Sequence, residues 1–309
     1  MHTNLNPPPA RHAYRRQNAF WLSLAALLVL PLVVLVAYPK AATPTLHARA
    51  LLALAGGAVP QDSTPDAPPF TTDRLAIELT DVSAPPADRQ LNAYLLKGAT
   101  ATGLLCRNLP VSNGGINTNC DFPGQNLIRY DTLTFVQESS VFSSTLPTAA
   151  LTYLRQALAE ASGPPTNLGY GIGLKTEAKL LADHAGFARD AANADNLAGA
   201  KRHTEHVLNI LYGEADARYG DHDNDGLPTN PGDGYGLLAY RQQMDSSLTQ
   251  AAESSDASDN IRTRVAQVQT ALTNIGDGAS GDPHWAALLI ESSQGLLAAA
   301  NATEAQTFG

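Results

Sequence analysis

The sequence predicts an α+β protein in three parts: a single N-terminal transmembrane helix, a small β-sandwich and an α-helical bundle. Three observations carry this. Ala19 to Tyr38 is an almost unbroken apolar run, period-two alternation follows between Thr71 and Glu138, and helical spacing takes over from Leu146. A net charge of -9 leaves no basic surface to neutralise phosphates, which excludes nucleic acid as a partner.

The apolar run of roughly 20 residues matches the thickness of a bilayer's hydrocarbon core. Only Ser23 and Pro31 interrupt it, and Tyr38-Pro39-Lys40 is a poor signal-peptidase site. Arg11, Arg15 and Arg16 precede it while Lys40 alone follows closely. The positive-inside rule then predicts a cytoplasmic tail over 1–18, an anchor over 19–38 in contact with the lipid bilayer, and an extracytoplasmic remainder. A cleaved signal peptide is the alternative. The expected location is therefore the cell membrane, single-pass. Gly56-Gly57 and the prolines through Pro69 make residues 39–70 a linker.

Residues 71–140 form the predicted β-sandwich. Leu75 to Leu79, Leu91 to Leu96, Gly103 to Cys106, Asn119 to Phe122 and Leu133 to Val136 read as its strands. Asn113-Gly114-Gly115 is a hairpin-turn signal because these residues tolerate positive φ. Cys106 and Cys120 are the chain's two cysteines, and in an oxidising compartment they pair, stapling the arms of that hairpin. The sequence Leu91-Asn-Ala-Tyr-Leu-Leu96, Gly103-Leu104, the Asn113-Gly114 turn and Asn126-Leu-Ile-Arg-Tyr-Asp131 through Glu138 resemble the extracytoplasmic C-terminal domain of anti-sigma-K factors. The resemblance implies the sandwich fold. It does not imply the regulatory activity, because 18 residues before the anchor are too few to hold a sigma factor.

Residues 145–309 read as the helical domain. Pro147 opens a helix that Gly163-Pro164 ends, and further helical patterns cover about 172–190, 196–213, 235–252, 259–276 and 284–301. Gly169, Gly171 and Gly173 form a GxGxG run with no strand before it, so it reads as a hinge and not as a dinucleotide loop. The Ser-rich run Glu253 to Asp259 reads as a loop. No GxSxG, HExxH or CxxCH motif is present.

The bundle contains the acidic loop 221–233. Asp221, Asp223 and Asp225 alternate and Gly226 follows, an arrangement similar to the opening of an EF-hand or dockerin calcium loop. The resemblance implies calcium, with Leu227 offering its carbonyl, Thr229 the next position and Asp233 the closing carboxylate. The departure is at the twelfth place, where a bidentate Glu is expected and Gly232 stands. Without an ion the same stretch is an acidic surface turn.

His203 and His206 lie three apart on one helix, and His184 lies on the helix before. The midpoint between His184 and His203 falls inside the turn between Asp190 and Asp195, so in an antiparallel hairpin these imidazoles meet at one level. Three of them make a candidate site for Zn, Cu or Fe, which Asp183 or Glu205 would complete or orient. Histidines hydrogen-bonded at a helix interface are the plainer alternative. The expected role is a calcium-binding, non-enzymatic protein that binds, senses or braces at the cell envelope, its protein or ligand partner unnamed. A metalloprotein or metalloenzyme built on the His cluster is the competing expectation.

Overall fold

The computed structural model describes residues 33–34, 47–53, 74–80, 82, 90–98, 103–137, 140–276 and 285–308. Among them eight strands form two four-stranded antiparallel sheets. One has the order β1-β2-β3-β6, from Val33–Val34, His47–Ala53, Arg74–Thr80 and Gly115–Asp121. The other has the order β5-β4-β7-β8, from Gly103–Cys106, Asn92–Leu96, Thr132–Gln137 and Ser140–Thr145. The alternation predicted from the sequence sets the buried faces. Leu75, Ile77 and Leu79 of β3 are buried, with Leu79 opposite Ile116 and Leu75 opposite Cys120 on β6. In the second sheet the buried Ala93 and Leu95 face the buried Phe135 and Leu133. A one-residue slip of register would turn each of these sets toward solvent.

Seven α-helices follow among the described residues: α1 (Thr148–Leu158), α2 (Tyr170–Asn193), α3 (Leu197–Tyr212), α4 (Leu237–Glu253), α5 (Asp259–Thr273), α6 (Trp285–Ala298) and α7 (Ala302–Ala305). The last half of α3 buries Val207, Leu208, Ile210, Leu211 and Tyr212 on nearly every side, the pattern of a helix enclosed by others. It packs against α2, α4 and α6. The first six helices share one hydrophobic cluster with both sheets, and Ala305 of α7 belongs to a second, smaller cluster with Ala188, Ala192, Ala200, Leu296 and Ala299.

Arg155 of α1 ties the two regions together. Its guanidinium donates to the carbonyls of Ile128 and Tyr130, each at 3.0 Å, at a short 3-10 turn that leads into β7. The N-terminus of α1 has no side-chain cap of its own, since Pro147 stands at the cap. Asp256, in the loop before α5, supplies the missing acceptors: its two oxygens take the amides of Ala149 and Ala150 at 2.8 and 3.0 Å.

The reading of residues 19–38 as a membrane-crossing helix is corrected. Among the described residues no helix is long and apolar enough to cross a membrane. Val33–Val34, inside that run, are strand, paired antiparallel with Leu51 and Ala50. Adjacent β-branched valines suit extended backbone, and Pro31 just before them lacks the amide that a helix interior requires. The single-pass location, which rested on that helix, is corrected with it. The proposed tail 1–18 lies outside the described residues. The linker 39–70 also lies outside them apart from β2, which pairs along its whole length with β3. Among the described residues the architecture is therefore mixed α/β, small sheets with seven helices, most of them on one shared core, and not an anchor, a sandwich and a bundle in series.

Two local readings also change. Cys106 and Cys120 are disulfide-bonded with Cα atoms 5.8 Å apart, but β5 and β6 belong to different sheets. The bond clasps sheet to sheet; the Asn113-Gly114 turn closes a much smaller hairpin at Ser112 and Gly115, with φ of 51° and 73° at its two central residues. The GxGxG run is no hinge either. Gly169 caps α2, and a Cβ on Gly173 would fall 2.1 Å from the Tyr240 ring, so glycine there lets α2 and α4 approach.

Replacing Asp256 by Ala removes a cap that lies more than a hundred residues away in sequence. Urea unfolding of D256A is expected to show a loss of about 1 kcal/mol, and an unchanged midpoint would mean that solvent caps α1 equally well.

Candidate metal centre

The helices α2 and α3 form an antiparallel hairpin closed by the short turn 194–196, where Asp195 takes a φ of 56° and the Asn196 side chain caps α3 by accepting from Gly199 N–H at 2.9 Å. His184 lies ten residues before Ala194, and His203 and His206 lie seven and ten residues after Asn196. The hairpin thus brings all three rings together. His184 Nδ1 is 3.1 Å from His203 Nδ1 and 3.1 Å from His206 Nδ1. Ring centroids lie 4.8 to 5.4 Å apart.

This convergence exceeds what hydrogen bonding among the rings can use. His184 Nδ1 carries either one hydrogen or one lone pair, yet it faces two partners of the same kind. A cation satisfies all three nitrogens together. Tetrahedral bonds of ~2.0–2.1 Å to nitrogen place neighbouring donors about 3.3 Å apart, close to the separations here. Burial lowers the pKa of each ring. The neighbouring imidazoles push His184 and His206 further, Arg202 adds to the fall at His203 and His206, and His206 comes down to about 4. Neutral imidazoles with free lone pairs are the form in which histidine binds metals.

Neither carboxylate suggested as a supplement joins the rings. Asp183 is held by Lys179 Nζ at 2.6 Å. Glu205 turns the other way, toward the acidic loop. It is 2% exposed, and its oxygens accept the backbone N–H groups of His222, Asp223 and Thr229 at 2.7, 3.2 and 2.8 Å. Asn209, one turn later and fully buried, donates to the carbonyls of Gly220 and Thr229 and accepts from Gly220 N–H. Together these two side chains fasten the loop to α3.

Within the loop, Asp221 accepts from the amides of Asp225 and Gly226, Asp223 from Asp225, and Asp225 from Leu227. Asn224 and Gly226 take positive φ of 62° and 95°, which makes the tight turn. Asp221, Asp223 and Glu205 form an acidic group whose oxygens lie within 4.8 Å of one another, close enough to share a metal ion. The other two carboxylates of the predicted set, Asp225 and Asp233, are not part of it. The Leu227 carbonyl accepts from its neighbour Thr229 Oγ1, and Thr229 gives its amide to Glu205. Asp233 points into the protein, where Tyr240 Oη donates to it at 2.5 Å and Tyr235 N–H at 2.9 Å. The side chain that completes the acidic group is therefore Glu205. Its signal in the sequence is a carboxylate between two histidines, just ahead of the apolar run Val207, Leu208, Ile210 and Leu211.

Glu177 of α2 is a second buried carboxyl without a counter-charge. It is 2% exposed, Oε1 accepts from Asp233 N–H at 3.2 Å, and Oε2 has no hydrogen-bond partner among the described residues. Burial, then the charge of Asp233, raise its pKa to about 7. The folded chain holds this proton up to about pH 7, whereas an unfolded Glu releases it near 4.5. Folding thus takes up a proton between those values. The stabilisation is complete below pH 4.5 and disappears as pH rises through 7.

E177Q is accordingly expected to flatten the fall in stability between pH 4.5 and 7, a contribution of up to about 3 kcal/mol. Denaturant melts across that range check it, and parallel curves for the two proteins would contradict it. E205A is expected to cost about 2–4 kcal/mol by stranding three loop amides and to speed hydrogen exchange over 222–229. E205Q, which keeps one acceptor oxygen, should lose less.

No family model, curated protein or solved structure matches this chain.

Proposed function

We propose that this chain is a metal-binding protein that holds one first-row transition ion on His184, His203 and His206. The observation that carries the reading is the meeting of three Nδ1 atoms, two pairs of them at 3.1 Å, on a rigid helix hairpin. Imidazole donors favour zinc, copper or iron over hard cations. Zinc is the reference probe because it needs no redox partner.

A second reading concerns the acidic group. Asp221, Asp223 and the buried Glu205 offer hard oxygen donors at the start of a loop already folded into its tight turn. We assign calcium to this group as a brace between α3 and α4, in keeping with the preference of calcium for carboxylate and carbonyl oxygen.

Metal analysis of the chain after loading and desalting separates the two. About one equivalent of zinc is expected in the wild type and none in H203A, with the helical circular dichroism of both alike. Calcium at about a hundredfold excess over Kd is expected to stabilise the wild type by about 2.7 kcal/mol, seen as a higher melting temperature, and to leave D223A unchanged. Zinc that survives H203A would defeat the first assignment, and a melting temperature indifferent to calcium and chelator would defeat the second.

A further inference from the structure

We propose that the three-histidine centre is coordinatively open, and that a water molecule or small anion from solvent completes it. The inference rests on the transition-metal reading above. Its first support is the donor count. Zinc and its analogues in histidine sites take four ligands, and three protein donors plus one exogenous ligand is the arrangement of reactive centres, whereas structural sites are closed by the protein. Here, among the described residues, the group holds three. The nearby carboxylates are committed elsewhere: Asp183 to Lys179, and Glu205 to three backbone amides of the acidic loop.

The second support is the position of the rings. The rings of His203 and His206 are only partly buried. Phe187, one turn after His184, is 51% exposed and stands edge-on to the His184 ring at 5.4 Å and 5.3 Å from the His203 ring. It forms an apolar wall at the rim and offers no donor atom. The centre therefore has a face toward solvent that the protein shields without supplying a ligand.

The third support is charge. Arg202 is exposed, adjacent to His203 and one turn from His206, and its field reaches both rings. A positive charge acting on the rings draws anions toward a metal held there. The opposing field of Asp225 reaches His206, and that of Asp183 reaches His184. Asp225 turns a carboxylate oxygen back to Leu227 N–H at 3.0 Å, within its own loop.

Cobalt(II) is a spectroscopic probe for this question, and the full chain is the material for it. The wild type is expected to bind one equivalent with visible bands of low-symmetry, four- or five-coordinate cobalt. Titration with azide should shift those bands saturably, and R202A should bind cobalt normally while its azide affinity falls by roughly tenfold. Cobalt that binds in the wild type and is lost in H203A, yet gives a spectrum indifferent to azide, would overturn the open centre and leave the metal reading intact. If D225N then became azide-sensitive, Asp225 would be the fourth ligand. Failure of cobalt to bind at all would overturn both readings together.

Discussion

A carboxylate buried to 2% exposure on a helix surrounded by apolar side chains costs several kcal/mol unless its charge is met. Glu205 meets it with three backbone amides, all from one loop, so that loop must lie on α3 and nowhere else. Asn209 repeats the demand one turn later by pairing with Gly220 and Thr229. Much of the site follows. Once residues 220–229 are fastened, Asp233 arrives beside Glu177 and Tyr240, and the chain enters α4 against α2. The same contact spaces the glycines of α2, because the Tyr240 ring occupies the room that a Cβ at Gly173 would need.

The two candidate ion groups share α3 but not a face of it. His203 and His206 are three apart and look toward α2, while Glu205 and Asn209 are four apart and look toward the loop. Soft nitrogen donors and hard oxygen donors are thereby kept separate on one rigid element. Imidazoles held neutral by burial suit a transition ion, and carboxylates suit a hard one. Asp225, on the same loop as the acidic group but outside it, opposes the fall at His206, and no ligand atom is common to the two groups.

What could be read from the sequence was local or followed from chain geometry. The strands over Leu75 to Leu79 and Leu91 to Leu96 show as alternation, and the helices of the second half show as spacing. The His184–His203–His206 meeting came from equidistance about a turn, which holds wherever two helices run antiparallel. The Asp221 to Gly226 turn was legible because its side chains bond within six residues. The apolar run at 19–38 misled because hydrophobicity alone does not distinguish a spanning helix from strand-forming valines after a proline.

Period, turn chemistry and the level of the histidines were thus written in the order of residues, since each depends on neighbours along the chain or on a simple hairpin. Partner choice over long separations was settled by the fold. The disulfide joins two sheets and not two arms of a hairpin, Asp256 caps a helix more than a hundred residues earlier, and Asp233 turns inward to Tyr240 and leaves the acidic group to Glu205. Each of these polar groups has several acceptable partners as far as composition goes. Packing decides among them, because a buried donor or acceptor takes the partner that the surrounding core brings within about 3 Å.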